Sequence, residues 1–440
     1  MSREFSVHGQ WGLRLAALLL VLSAIAMTAA LRAPAGRAAQ ARRHASTASA
    51  ARFRHHVKHR SSSKRRHRSR PPVRVPQGFV GVNADGPLFN GTPGVNLDQQ
   101  LKLMVASGVQ RLRVAFSWAA AQPYAAAAAV PAADRNRFTE VKGVPTDFAT
   151  TDAIVAAAAR RRLSILPTVL YAPSWDARVN TNPRGGIAQP RSDGAYAAYL
   201  TALIGRYGPR GSFWAQNPSL PRMPIREWQI WNEPDVGSFW NAPFARTYVA
   251  LLRAAHAAIK RADPGAKVVL AALTGYAWSG LRQIYRVRGA RRLFDVVSVD
   301  AYTKQPANVI RFLHIMRRVM DQHGDRAKPL LATELSWPSS VHQGQVHYDF
   351  DTTVARQAHN LAALLPLLAR NRTVLGLAGF DWYTWIGAET RGASDFNFSG
   401  LLKVHDGVVT RKPALAAFRR GALAMEGCRS KGVVATRCIR

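Results

Sequence analysis

Cysteine is nearly missing from these 440 residues: there are two, Cys428 and Cys438, both near the C-terminus. That scarcity excludes a fold stapled by a disulfide framework. With no CxxC or paired-histidine spacing beside them, it also argues against a thiolate metal site. In an oxidising compartment the pair would close one small loop in a tail over 426–440. Acid is scarce as well, with 25 Asp and Glu against 61 Lys and Arg, a formal charge of +36. The imbalance fits attraction to an anionic polymer or lipid surface, and fits equally the Arg- and Ala-rich usage of a GC-rich genome. Long hydrophobic runs are limited to one, Leu15 to Leu31, broken by Ser23 and Thr28. No glycine-rich phosphate fingerprint follows the first strand candidate, which argues against a dinucleotide-binding open sheet.

What is present divides the chain. Residues 1–31 carry Arg3 and Arg14 ahead of the short apolar run, the pattern of a secretory signal, with a retained signal anchor as the alternative. Small-residue cleavage sites occur at Thr28-Ala29-Ala30 and Ala33-Pro34-Ala35. Either reading puts the domain outside the cytosol. Residues 32–77 are Ala-rich and then Arg-, His- and Ser-rich; from Arg32 to Arg74 there are 14 Lys or Arg and no acid. Like charges this dense repel and bury no apolar surface, so the stretch reads as a disordered tether able to adhere to an anionic wall or membrane surface. No aromatic interleaving or recognition fold accompanies it, so it is not read as a specific nucleic-acid binder.

From Val75 the texture changes. Apolar strand candidates are Phe79–Asn83, Arg111–Ser117, Ser164–Leu170, Glu227–Trp231, Val268–Ala272, Phe294–Asp300, Leu330–Glu334 and Leu375–Asp381. Helix-period segments separate them: Leu97–Ala106 after Asn96, Thr151–Arg162, Gly194–Tyr207 after a cap at Asp193, Arg246–Ala262, Ser279–Val287, Ala307–His323, Thr352–Arg370 and Pro413–Met425. Continuous apolar strands alternating with helices predict a parallel sheet covered by helices. Eight such units over residues 78–425 predict an α/β fold, a closed (β/α)8 TIM barrel.

In such barrels chemistry sits at the C-terminal ends of the strands, and the unusual residues of this chain gather there. The fourth candidate runs into Trp231-Asn232-Glu233-Pro234, where proline stops the ladder and leaves a carboxyl group at the rim. The seventh ends in Glu334. Two rim glutamates with aromatic neighbours are what glycosidic cleavage needs, one to protonate the leaving oxygen and one to attack or stabilise the sugar cation. Arg113 lies on the second strand, Trp175 follows the third, Asp300 and Tyr302 end the sixth, and Trp382 and Trp385 end the eighth. Alternation along the eighth strand puts its two tryptophans on opposite sides, so one of them is packing. His342, His347, Asp349 and Asp351 after the seventh strand read as a polar active-site loop rather than a metal cluster; no metal and no cofactor is assigned.

Arg113-Val114-Ala115-Phe116-Ser117-Trp118, Tyr171-Ala172-Pro173-Ser174-Trp175, Trp231-Asn232-Glu233-Pro234 and Thr333-Glu334 together resemble the clan A glycoside hydrolases, most closely in texture families 39 and 5. The resemblance implies a retaining double displacement with Glu233 as acid/base and Glu334 as nucleophile. It implies that Arg113 and Tyr302 stabilise Glu334, that Asn232 binds the sugar 2-hydroxyl, and that Trp385 or Trp382 floors a subsite, with Trp175 near it. Where many relatives have a histidine two residues before the sixth-strand tyrosine, this chain has Asp300, which would bind a sugar hydroxyl pair. The expectation is an exported monomeric glycosidase acting on a poly- or oligosaccharide or glycoconjugate. Its rivals are a catalytically silent wall-polysaccharide-binding barrel and a transglycosylase.

Overall fold

The computed structural model describes residues 74–183, 185–187 and 189–426. The signal or anchor over 1–31, nearly all of the basic tether and the Cys428–Cys438 loop lie outside them. Among the described residues no helix is long and apolar enough to cross a membrane. Packing begins at Val75, which is buried and donates its N–H to the Met425 carbonyl at 3.1 Å, so the two ends of the domain are tied together.

Eight parallel strands make up the main sheet, in the order Val80–Asn83, Arg111–Ser117, Ser164–Leu170, Glu227–Ile230, Lys267–Val269, Val297–Asp300, Leu330–Leu335 and Leu377–Trp382. The first pairs with both the second and the eighth, and the remainder follow around. Between the fifth and sixth strands closure rests on bridges Val269 to Val296 and Leu273 to Val299. Leu270 N–H to Val296 O and Asp300 N–H to Leu273 O, each 2.9 Å, complete that seam. The result is a (β/α)8 barrel, as the alternation predicts.

The helices surround it. The one over Phe244–Ala262 shows why they form: Tyr248, Leu251, Leu252, Ala255 and Ile259 recur at helical spacing and are buried. Burying each large member contributes roughly 1.5–3 kcal/mol, which outweighs propensity differences of about 0.7 kcal/mol or less per residue. Among the described residues four helix starts are capped by side chains, Asn96 Oδ1 on Gln99 N–H, Ser117 Oγ on Ala120 N–H, Ser192 Oγ on Ala195 N–H and Thr353 Oγ1 on Arg356 N–H. Asp193 is therefore inside its helix rather than its cap. A serine one residue earlier does that work, and Asp193 adds a favourable charge to the first turn.

Two tyrosines from the helices hold strand ends where the ladder runs out. Tyr196 donates to the Val169 carbonyl at 2.7 Å. Tyr248 donates to the Ile230 carbonyl and accepts from Ala271 N–H, at 3.0 and 2.7 Å. These bonds fix the rim just below Tyr171 and Trp231. A register shift does the same for the seventh strand: Val299 faces Ala332 but Asp300 faces Glu334, so Thr333 is the extra residue of a bulge. Bulges re-aim side chains, and this one turns Glu334 toward the barrel mouth.

Candidate active site

The second strand carries two arginines two residues apart, so both point into the barrel. Arg113 is the upper one and is almost fully buried. Its Nε donates to Gln229 Oε1 at 2.8 Å, Nη1 to Asn83 Oδ1 at 2.7 Å and to Glu334 Oε1 at 2.5 Å, and Nη2 to Asn232 Oδ1 at 2.6 Å. One guanidinium thereby ties together the first, second, fourth and seventh strands. The acceptors are themselves held: Asn83 Nδ2 donates to the Thr333 carbonyl at 2.9 Å, and Gln229 Nε2 to Ser298 Oγ at 3.0 Å.

Glu334 takes a second charge-assisted bond from Tyr302 Oη, at 2.6 Å on Oε2. Each carboxylate oxygen thus has a donor, an arrangement matched to the ionised form. Tyr302 is held in turn by aromatic neighbours, with Phe350 stacked at 5.4 Å and Phe396 edge-on at 5.1 Å between centroids.

Glu233 is about 9% exposed and follows the fourth strand. Burial holds its carboxyl well above the usual range, and the negative charges of Glu334 and then Asp235 add to that; Arg113 and a Thr274 hydrogen bond oppose it less strongly. The backbone here is unusual. Tyr171, Trp231 and Glu233 have φ of 65°, 71° and 40°, the left-handed region that residues with a Cβ seldom occupy. Such conformations cost on the order of 1–3 kcal/mol each and persist where the surroundings over-determine them. Here the Trp231 indole donates to the Phe239 carbonyl at 2.9 Å, and Glu233 N–H to the Ala272 carbonyl at 3.0 Å.

A cavity of about 290 Å³ opens at this end, lined among others by Asp85, Phe89, Arg113, Tyr171, Asn232, Glu334, Tyr383 and Phe396. It stands at the small end of the roughly 300–1,000 Å³ range of ligand sites. Glu334, Arg113 and Asn232 meet there, with Glu233 and Tyr302 beside them.

Four residues behave differently from expectation. Trp382 and Trp385 are both fully buried and neither lines this cavity. Their indole N–H groups point inward, to the Ser399 carbonyl at 3.2 Å and Gln100 Oε1 at 3.0 Å, so neither floors a subsite. Trp175 is half-buried, packs edge-on against Trp118 at 5.6 Å and donates to the Gln122 carbonyl, so it buttresses the rim outside the cavity wall. Asp300 is fully buried and cannot reach a sugar. Its Oδ1 accepts from Thr333 Oγ1 at 2.8 Å, Oδ2 has no partner, and burial, reinforced by Glu334, holds its proton on well above the usual carboxylate range.

The structure also adds residues that sequence reasoning missed. Asp85, just past the first strand, lines the cavity and accepts from Ala115 N–H at 2.9 Å. Burial pushes its carboxyl up to about 6, with the Ala115 bond and Arg113 pulling the other way. Asp235 stands behind Glu233, pushed up to about 7 by burial against the hydrogen bond from Thr274 N–H. Asp85 had a signal, since Ala84-Asp85-Gly86-Pro87 interrupts an apolar strand much as Asn-Glu-Pro does. Of the polar loop after the seventh strand, His347 and Asp351 come together with Asp395, whereas His342 and Asp349 stand outside that group.

No family model and no curated protein matches the chain. Solved structures do. The GH39 enzyme from Xanthomonas axonopodis pv. citri superposes with a TM-score of 0.56 at 18% identity over 79% of this chain and 66% of its own. A GH39 β-xylosidase from Caulobacter crescentus gives 0.56 at 18% identity, covering 80% and 72%. AbfB, a family 51 α-L-arabinofuranosidase from Bifidobacterium longum, gives 0.52 at 15% identity, covering 81% and 75%. The chain thus spans just under two-thirds of the first of these. The shared feature is the barrel: this chain has the fold of the clan A glycoside hydrolases.

Proposed function

We propose that the protein is a retaining O-glycoside hydrolase in which Glu233 is the acid/base and Glu334 the nucleophile. The observation that carries this is the contrast between two strand-end glutamates in one site. One is held by the Arg113 guanidinium and the Tyr302 hydroxyl, and the other has its carboxyl pushed toward the protonated form by burial and by the first one's charge.

In the first step a Glu334 oxygen attacks the anomeric carbon while Glu233 gives its proton to the departing glycosidic oxygen. The C–O bond breaks, an ester to Glu334 forms and the aglycone leaves neutral. In the second, Glu233, now a carboxylate, takes a proton from water. The water oxygen bonds to the anomeric carbon, the ester breaks and Glu334 departs as carboxylate. Arg113 and Tyr302 are positioning donors that meet this returning charge. Because Asn232 Oδ1 is taken by Arg113, its amide N–H groups are left for the sugar 2-hydroxyl, a bond that strengthens as the oxocarbenium character develops.

The test is a panel of aryl glycosides followed by proton NMR of the first-formed sugar. Retention of anomeric configuration is expected, together with loss of turnover in Glu334→Gln. Binding of oligosaccharides with no turnover of any glycoside would favour the silent barrel instead, and inversion would reject the assigned roles.

A further inference from the structure

Outside the barrel mouth, two loops meet at a group of side chains that the glycosidase reading does not use. Asp351 closes the loop after the seventh strand, and Asp395 opens the short helix Asp395–Ser399 beyond the eighth. Each carboxyl gives one oxygen to a backbone N–H. Val346 N–H donates to Asp395 Oδ2 at 2.7 Å, and Tyr348 N–H to Asp351 Oδ2 at 3.0 Å. The remaining oxygens, Asp351 Oδ1 and Asp395 Oδ1, are both shut off from solvent and make no hydrogen bond of good geometry, although the Ser340 hydroxyl and the Asp395 carboxyl stand close to Asp351. Asp395 as a whole is fully buried. In a chain with 61 Lys and Arg against 25 acids, neither carboxyl has a basic side chain as ion-pair partner among the described residues. They face each other instead.

A buried carboxyl pair without a cation is costly, and His347 stands on its open side. One ligand atom from each of His347, Asp351 and Asp395 lies within 4.8 Å of the others. Around a tetrahedral ion with bonds of about 2.1 Å the ligands stand about 3.4 Å apart, so binding needs a contraction on the order of an ångström. An imidazole nitrogen with two carboxylates suits a first-row transition ion better than calcium or magnesium, which favour all-oxygen shells. His347 is exposed, leaving room for water as a fourth ligand.

We propose that His347, Asp351 and Asp395 bind one divalent transition-metal ion, zinc in the first instance, which ties the loop after the seventh strand to the segment after the eighth. The ion would not touch the sugar. Its position gives it a structural reach into the site, because Phe350 and Phe396, each one residue from a ligand, pack on Tyr302.

The experiment uses the full chain, stripped by chelator, with zinc titrated against a chromophoric competitor. The histidines of the basic segment supply background sites, so the wild type is compared with His347→Ala and Asp351→Asn. His347 is exposed and its removal leaves the core intact, so that variant serves even if the aspartate variant folds poorly. The expected result is one tight equivalent more in the wild type than in His347→Ala, with affinity at this site at least about 100-fold weaker in the variant. A zinc-dependent rise in Tm should be reduced in the same variant. Equal stoichiometry and equal Tm shifts in both proteins would overturn the proposal, and stabilisation by calcium but not zinc would overturn the choice of ion. Neither readout depends on glycosidase activity.

Discussion

Two arginines two residues apart on the same strand make two buried ion pairs with different fates. Arg111 forms a closed fork on Asp381, Nε to Oδ1 and Nη2 to Oδ2 both at 3.0 Å, with Nη1 on the Gly78 carbonyl. The Asp381 side chain has no exposure at all, and a Cβ on Gly81 would stand 1.8 Å from its Oδ1, so only glycine admits it. Arg113 instead spreads its donors over four acceptors, and the Glu334 side chain keeps 11% exposure at the cavity. The lower pair is saturated and inert. The upper one holds its carboxylate from behind and leaves a face for chemistry. Burial and pairing alone do not mark a site; an unfinished shell around the carboxylate does.

That contrast can be broken in a graded way. Glu334→Gln should lower kcat by about 10⁴-fold or more, measured with whichever aryl glycoside is turned over. Asp381→Asn should act on stability and not on turnover. Leaving Arg111 buried and half-paired costs about 3–5 kcal/mol of stability by denaturant titration, with the kcat of the folded protein close to wild type. Tyr302→Phe removes one donor from Glu334 and should lower kcat by about 10²-fold, with KM nearly unchanged.

The smallest effect concerns protons. Glu233 works protonated, so activity falls as pH rises through its raised pKa. Asp235→Asn removes a negative neighbour and should move that alkaline limb of kcat/KM to lower pH, by up to about one unit. Asp235 also links to stability. Its folded value of about 7 lies above the unfolded value, so between about pH 4 and 7 the native state binds more protons than the unfolded chain. Stability therefore falls across that window, and Asp235→Asn should flatten the fall.

The barrel was largely legible because short, mainly apolar strand runs alternate with helix-period segments. Arg111–Ser117 and Ser164–Leu170 have the bounds that their apolar runs predict. The fifth strand was not: Val268–Ala272 is expected, but the ladder covers Lys267–Val269, because from Leu270 the chain turns to bond across the seam to Val296. The two glutamates could be read from strand ends and proline. The aromatic subsite could not, since position at a strand end does not say which way an indole points, and Trp382 and Trp385 find their acceptors inward. Asp300 is a similar case: Tyr302, two residues on, faces Glu334, while Asp300 is buried with the Thr333 hydroxyl donating to its Oδ1. Asp395, some forty residues beyond Asp351, meets it only through the fold.

The most direct test of the central claim is covalent. A panel of 2-deoxy-2-fluoro glycosides with good leaving groups slows the second step, and peptide mass spectrometry then locates the trapped sugar. The account predicts an ester on Glu334, absent in Glu334→Gln. A sugar on another residue, or turnover with no trapped species and inverted product, would contradict it.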